Sequence, residues 1–350
     1  MQAKMTNFTK NIAFTKTPLN GYFRFGNYFQ VYPFISENSP KNKNAEHFPC
    51  IIELTFQDSE IKKLQPFNLK NVDEMISRTT VQTNKLIEIT NLLSVISNYR
   101  FFHYRHIEGH WSMPMPEVIT EEINNMKSVW ANSLFYYPEI AKEFAITEFS
   151  QLNIPTIPLF GKNIYYYYEP LESIEKTINF PSDINEVIKN YLKLNPKDKV
   201  VCDSAIHLFC NGLDIFDKMK SLSFLSIVSS VETLVNYEFI NDKIEYECND
   251  CKTLKSSGRN CNKCGRPIWG VTAKFKEFLC KYISDKKEAK QMYSKIYDLR
   301  SKIAHTEYLI NGENYGSWDF NDKTEELSRR HLETMQLARR AISNWLRAKS

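Results

Sequence analysis

Two groups of residues in this chain have types and spacings that chemistry can use. The first is Cys248-x2-Cys251-x9-Cys261-x2-Cys264, followed directly by Gly265. A CxxC turn lets two thiolates converge on one ion, and a second such knuckle completes the tetrahedral shell that zinc prefers. Gly265 permits the turn just past the last ligand. Two disulfides or a redox CxxC compete with this reading, and the doubled spacing favours the metal. Four protein ligands leave no open coordination position, so the expectation is structural Zn2+ and no catalytic metal. Residues 248–266 carry five basic side chains (Lys252, Lys255, Arg259, Lys263 and Arg266) against one acidic, Asp250. Four thiolates around one zinc ion lower that excess without cancelling it, so the module suits either a phosphate backbone or an ordinary surface.

The second group is Leu299-Arg300-Ser301-Lys302-Ile303-Ala304-His305. Arginine presents a fixed fork of donors to phosphate oxygens. Histidine is the side chain suited to exchanging a proton near neutral pH. The pair by itself is a weak signal: 12 arginines and 7 histidines in 350 residues give such a match in roughly one chain in four at any one spacing. Arg105-x4-His110 and Arg100-x5-His106 are of the same kind, but they stand where Gly109, Trp111 and Pro114 break a helix. Arg300 and His305 stand instead near the end of a predicted helix. Five residues turn an ideal helix through about 500°, so the two side chains diverge by about 140°. One helix aims both at a single phosphate only if His305 lies past the helix end or a second chain contributes. A helix C-cap competes with catalysis, because both cations favour the negative end of the macrodipole.

The elements that must position these groups fall into two parts. The expected fold class is α+β: a mixed α/β N-terminal domain over 1–180, then an all-α bundle over 181–350 with a zinc-binding insertion at 241–269. In the first part, strands and turns are predicted from Gly21 to Phe34 and a strand over Cys50–Phe56. Leu86, Ile89, Leu92, Leu93 and Ile96 recur at three and four, which predicts a helix over 83–98. In the second part helices are predicted over about 183–194, 203–219, 221–240, 271–283, 286–305 and 323–347. Phe224, Ile227, Val228, Val231, Leu234 and Val235 form one wide apolar stripe, which makes that helix central to the bundle. Arg329, Arg330, Arg339, Arg340 and Arg347 on the last helix read as a solvated face, with nucleic-acid contact the alternative.

A helix reading Ser226-Ile227-Val228-Ser229-Ser230-Val231-Glu232-Thr233-Leu234, an insertion, and then Ile296-Tyr297-Asp298-Leu299-Arg300 through His305 resembles the HEPN superfamily. More closely it resembles the ApeA-like HEPN proteins of bacteria, in which a polar residue, here Ser301, commonly follows the arginine. The resemblance covers roughly 200–347; only the α/β-then-helical layout extends it to the N-terminal half. It implies a metal-independent endoribonuclease of toxin or anti-phage (abortive infection) type, in which the ribose 2′-OH attacks the adjacent phosphate. It further implies a homodimer whose paired motifs line a cleft, with Arg300 and His305 catalytic and Glu232 and Ser301 supporting. RNA is the implied substrate, with tRNA among the candidates. A phage-derived protein is a candidate activator acting through the N-terminal half as sensor. For Glu232 a solvated glutamate at the edge of the apolar stripe is the competing reading. Two other functions stay open: a zinc-containing nucleic-acid-binding or regulatory protein with a silent helical bundle, and a helical partner that docks onto another protein.

Composition narrows the field. Hydrophobic residues make up 42% and charged residues 25%, which is globular and not disordered composition. Only 10 glycines occur, and neither GxGxxG nor GxxxxGK[ST] is found, which argues against glycine-cradled nucleotide sites. No apolar run approaches the length of a membrane span, and residues 1–20 lack a secretory pattern. The expected location is cytoplasmic, with no membrane partner. Cys50, Cys202, Cys210 and Cys280 are then expected as small buried apolar residues.

Overall fold

A computed structural model describes residues 6–34, 48–63, 74–103, 113–114, 129–131, 134–136, 146–165, 177–240, 245–247, 254–256, 263, 270–305, 309–310 and 322–349. The chain divides into two compact units, Met1–Asn185 and Glu186–Ser350.

The first unit is built on β1 (Thr6–Thr15), β2 (Phe23–Phe25), β3 (Phe29–Pro33), β4 (Phe48–Gln57) and β5 (Phe101–Phe102), an antiparallel sheet in the order β2-β3-β4-β1-β5. Helices α1 (Asp58–Lys63) and α2 (Glu74–Ile96) follow β4. Strands β6 (Met113–Pro114), β7 (Val129–Ala131) and β8 (Leu134–Tyr136) pair among themselves, and β9 (Leu159–Phe160) and β10 (Phe180–Pro181) flank the short α3 (Lys162–Tyr165). Strand β1, the full-length partner of β4, carries no clean alternation in the sequence because its polar residues are used on the inside. Asn7 donates to Asp58 and accepts from Arg78, and Asn11 accepts from Gln82 of α2.

A lone charge in the middle of β4 organises the sheet. Glu53 is fully buried and accepts from Gln30 Nε2 at 2.8 Å, the Tyr32 hydroxyl at 2.6 Å, the Ser150 amide at 2.8 Å and the Ser150 hydroxyl at 2.5 Å. Lys10 Nζ stands 3.4 Å away. Burial pushes this carboxyl up, but the Ser150 and Tyr32 hydrogen bonds and Lys10 outweigh it and hold it below the ordinary range. One carboxylate thereby ties β1, β3 and β4 to the chain around Ser150.

The second unit contains α4 (Ile184–Lys193), α5 (Pro196–Asp214), α6 (Lys220–Glu238), α7 (Val271–Tyr282), α8 (Lys287–His305) and α9 (Asp322–Arg347), with β11 (Glu245–Glu247) and β12 (Leu254–Ser256) between α6 and α7. Helix α5 begins seven residues before its predicted start. Asn195 caps it by accepting from the amides of Lys197 and Asp198, and Pro196 occupies its first turn. Helix α6 packs against α5, α7, α8 and α9, and all six residues of its predicted stripe are buried. The arginines of α9 do not share one environment. Arg329 is exposed, and Arg330 bonds Glu326 at 3.1 Å. Arg339 is only 1% exposed, with its guanidinium 5.4 Å from the Phe209 ring centroid, so the solvated-face reading fails for it. Cys50, Cys202 and Cys210 are buried, whereas Cys280 is half-buried. Among the described residues no helix is long and apolar enough to cross a membrane.

Candidate functional site

Helix α8 turns Tyr293, Ile296, Tyr297 and Leu299 into the bundle, the three-and-four spacing of an amphipathic helix. On the facing side, α6 is apolar except for small hydroxyls and one acid, Glu232, which is buried at its place in the stripe. The two helices meet through this carboxylate. Its Oε1 accepts from the Tyr297 hydroxyl at 3.0 Å and its Oε2 from Arg300 Nη2 at 3.2 Å. The Arg300 side chain keeps 25% of its surface exposed against 11% for Glu232, so the guanidinium sits at the rim of the bundle with its anchor inside. Burial, followed by the Glu232 charge and hydrogen bond, pushes the Tyr297 phenol up to about 12. The phenol therefore stays protonated and remains a donor.

His305 is the last residue of α8 and is exposed; Ser301 is exposed as well. The helix runs through His305, so the ideal divergence of about 140° from Arg300 stands. The capping account separates the pair. His305 lies in the last turn of α8, where a cation meets the helix carbonyls. Arg300 lies more than a turn earlier, and its charge is engaged by Glu232. The solvated-glutamate reading of Glu232 does not describe a carboxylate buried between two helices.

Cys248, Cys251, Cys261 and Cys264 lie outside the described residues. Strands β11 and β12, which bracket the first knuckle, are described: they pair antiparallel with Glu247 opposite Leu254. Among the described residues no group of His, Cys, Asp or Glu is arranged to hold a metal ion.

Two residues to which the sequence reading gave no role belong to this description. Tyr297 was part of the quoted motif, and its position three residues before Arg300, on the same helix face, was the available signal. Glu238, six residues after Glu232 on α6, accepts from Lys281 Nζ, from the Tyr282 hydroxyl at 2.9 Å and from Trp345 Nε1 at 3.3 Å. It joins α6 to α7 and α9 as Glu232 joins α6 to α8. No family model, curated protein or solved structure matches the chain.

Proposed function

We propose that the chain is a metal-independent endoribonuclease of the HEPN type, acting in bacterial toxicity or anti-phage defence in the cytoplasm. The observation that carries this reading is the state of Arg300. Its guanidinium is anchored from inside by the buried Glu232 carboxylate, stays partly exposed, and lies on the same helix as an exposed histidine. In the proposed reaction His305 takes the ribose 2′-hydroxyl proton as that oxygen attacks the adjacent phosphorus. Arg300 donates to the phosphoryl oxygens as negative charge builds on them. The bond to the 5′-oxygen breaks, leaving a 2′,3′-cyclic phosphate, and a protonated histidine supplies the proton to the departing oxygen. In a two-fold homodimer each Arg300 meets the His305 of the other copy, which takes the first proton and returns it to the departing oxygen.

Within this proposal the four cysteines hold one structural zinc ion that staples the insertion. RNA is the substrate, with tRNA a candidate, and Ser301 is a supporting group beside Arg300. The N-terminal unit restrains the nuclease until an activator, a phage-derived protein among the candidates, relieves it. A second reading has its own support. Glu238 is a half-buried carboxylate of α6 that likewise accepts from a tyrosine and a cation, and in this reading Glu232 and Arg300 form a similar packing contact in a catalytically silent bundle that binds nucleic acid.

Incubation of the full chain with total RNA, with and without EDTA, tests the proposal. Cleavage is expected in both conditions, and Arg300→Ala or His305→Ala is expected to reduce it by a factor on the order of a hundred or more with folding retained. Cleavage that persists with both residues changed overturns the assignment. RNA binding that survives the double change but is lost with the zinc favours the second reading.

A further inference from the structure

A carboxylate facing a guanidinium ordinarily accepts two parallel N–H bonds, yet Glu232 takes only one nitrogen of Arg300. Its Oε2 accepts from Nη2, while its Oε1 is occupied by the Tyr297 hydroxyl. The guanidinium nitrogen that would complete the fork, Nε, is buried and has no hydrogen-bond partner among the described residues. Nε and Nη2 lie along one edge of the guanidinium, so Oε1 is the acceptor that Nε lacks. Tyr297 is well fixed for this competition. Its ring centroid stands 5.9 Å from Arg300 Cζ, a cation–π contact, and 5.2 Å from the Phe275 ring centroid of α7.

We propose that Tyr297 is a positioning residue that holds Arg300 on a single tether, with Nη1 left at the partly exposed end to bind a phosphodiester oxygen. The proposal rests on the reading of Arg300 as the phosphate ligand. A closed Arg–carboxylate fork commits a whole edge of the guanidinium and draws it toward α6. The single bond to Nη2 fixes the position of the group while Nη1, which has no hydrogen-bond partner among the described residues, stays available at the partly exposed end. The Tyr297 hydroxyl competes with Nε for Oε1; without it Oε1 loses its partner and is left to pair with Nε beside the existing bond to Nη2.

Tyr297→Phe keeps the ring and removes only the hydroxyl. In steady-state cleavage of a short RNA by the full chain, kcat is expected to fall by roughly tenfold to a hundredfold, with a much smaller change in KM and little change in melting temperature. Adding Glu232→Gln to Tyr297→Phe is expected to recover part of that loss, because a neutral amide cannot close the fork. A hydroxyl with only a packing role gives no such recovery. A second readout does not depend on activity: the Arg300 Nε–H resonance in a 1H–15N spectrum, assigned by its absence in Arg300→Lys. In Tyr297→Phe it is expected to move downfield and exchange more slowly with water, as a newly hydrogen-bonded proton does. Wild-type kcat in Tyr297→Phe, or an unchanged Nε–H resonance, overturns the tether. If the unaltered chain cleaves no RNA, the ribonuclease reading falls, and the resonance still decides whether the tether exists.

Discussion

His331 on α9 shows what a histidine does in this fold when it is not a candidate for catalysis. It is 2% exposed, stacked on Phe216 at 4.0 Å between ring centroids, and 2.9 Å from the Ser223 hydroxyl through Nε2. That hydroxyl gives its only proton to the Gly212 carbonyl at 2.7 Å, so Nε2 must be the donor. Burial, with help from the Lys220 charge, lowers its pKa to about 4. The unfolded chain takes up a proton near pH 6.5 that the folded ring refuses until about pH 4. Stability is therefore intact above pH 6.5 and declines as pH falls through that window, by about 1.4 kcal/mol per unit and ~3 kcal/mol in all. Denaturant titrations at pH 7 and 4.5 should show a smaller acid loss in His331→Phe than in the unaltered chain; equal losses would sink this account. His305, by contrast, is exposed at its helix end, and exposure is what a proton-transfer group needs to reach its substrate.

At the scale of elements, the contact of α5 with α6 depends on a missing side chain. A Cβ on Gly212 would stand 2.7 Å from Ile227 Cγ1 and 3.2 Å from the Ser223 carbonyl oxygen. Gly212→Ala gains helix propensity worth up to ~1 kcal/mol but overpacks the contact at a cost of about 1–3 kcal/mol. The expected net result is a lower melting temperature; a variant as stable as the parent would show that Ile227 turns aside without cost. The same helices show how legible this bundle was. The stripe of α6 and the long periodic run of α8 were readable because packing repeats the helical period. Helix α5 starts earlier than predicted because Asn195 caps the amides of Lys197 and Asp198 and Pro196 fits the first turn. The burial of Arg339 was not readable, since a guanidinium lying over Phe209 is a property of two helices and not of either sequence.

For the whole molecule the arrangement of Arg300 and His305 along α8 makes a demand on assembly. If the proposed site draws its arginine from one protomer and its histidine from the partner, two inactive variants repair each other. Dimers formed from a mixture of Arg300→Ala and His305→Ala chains should regain about a quarter of normal cleavage, since half are mixed and each mixed dimer carries one intact pair of two. No recovery in demonstrably mixed dimers, or a chain that is monomeric while cleaving, would sink the composite site. Charge is consistent with this end of the chain meeting RNA. Residues 271–350 carry 16 basic and 11 acidic side chains, whereas the whole sequence sums only to +4.

Taken by itself, the sequence determined the period of the helices, the order of the two structural classes, and the residues worth watching. Each of these is written in local spacing: apolar positions at three and four, cysteines in doubled CxxC pairs, an arginine and a histidine five apart. Only the tertiary structure decided which of those residues meet. Glu232 and Arg300 are 68 positions apart and Glu53 and Ser150 are 97 apart, and no local pattern records such a pairing. A carboxylate shared between a tyrosine and an arginine exists only where two helices cross, because burial removes the water that would otherwise satisfy all three groups.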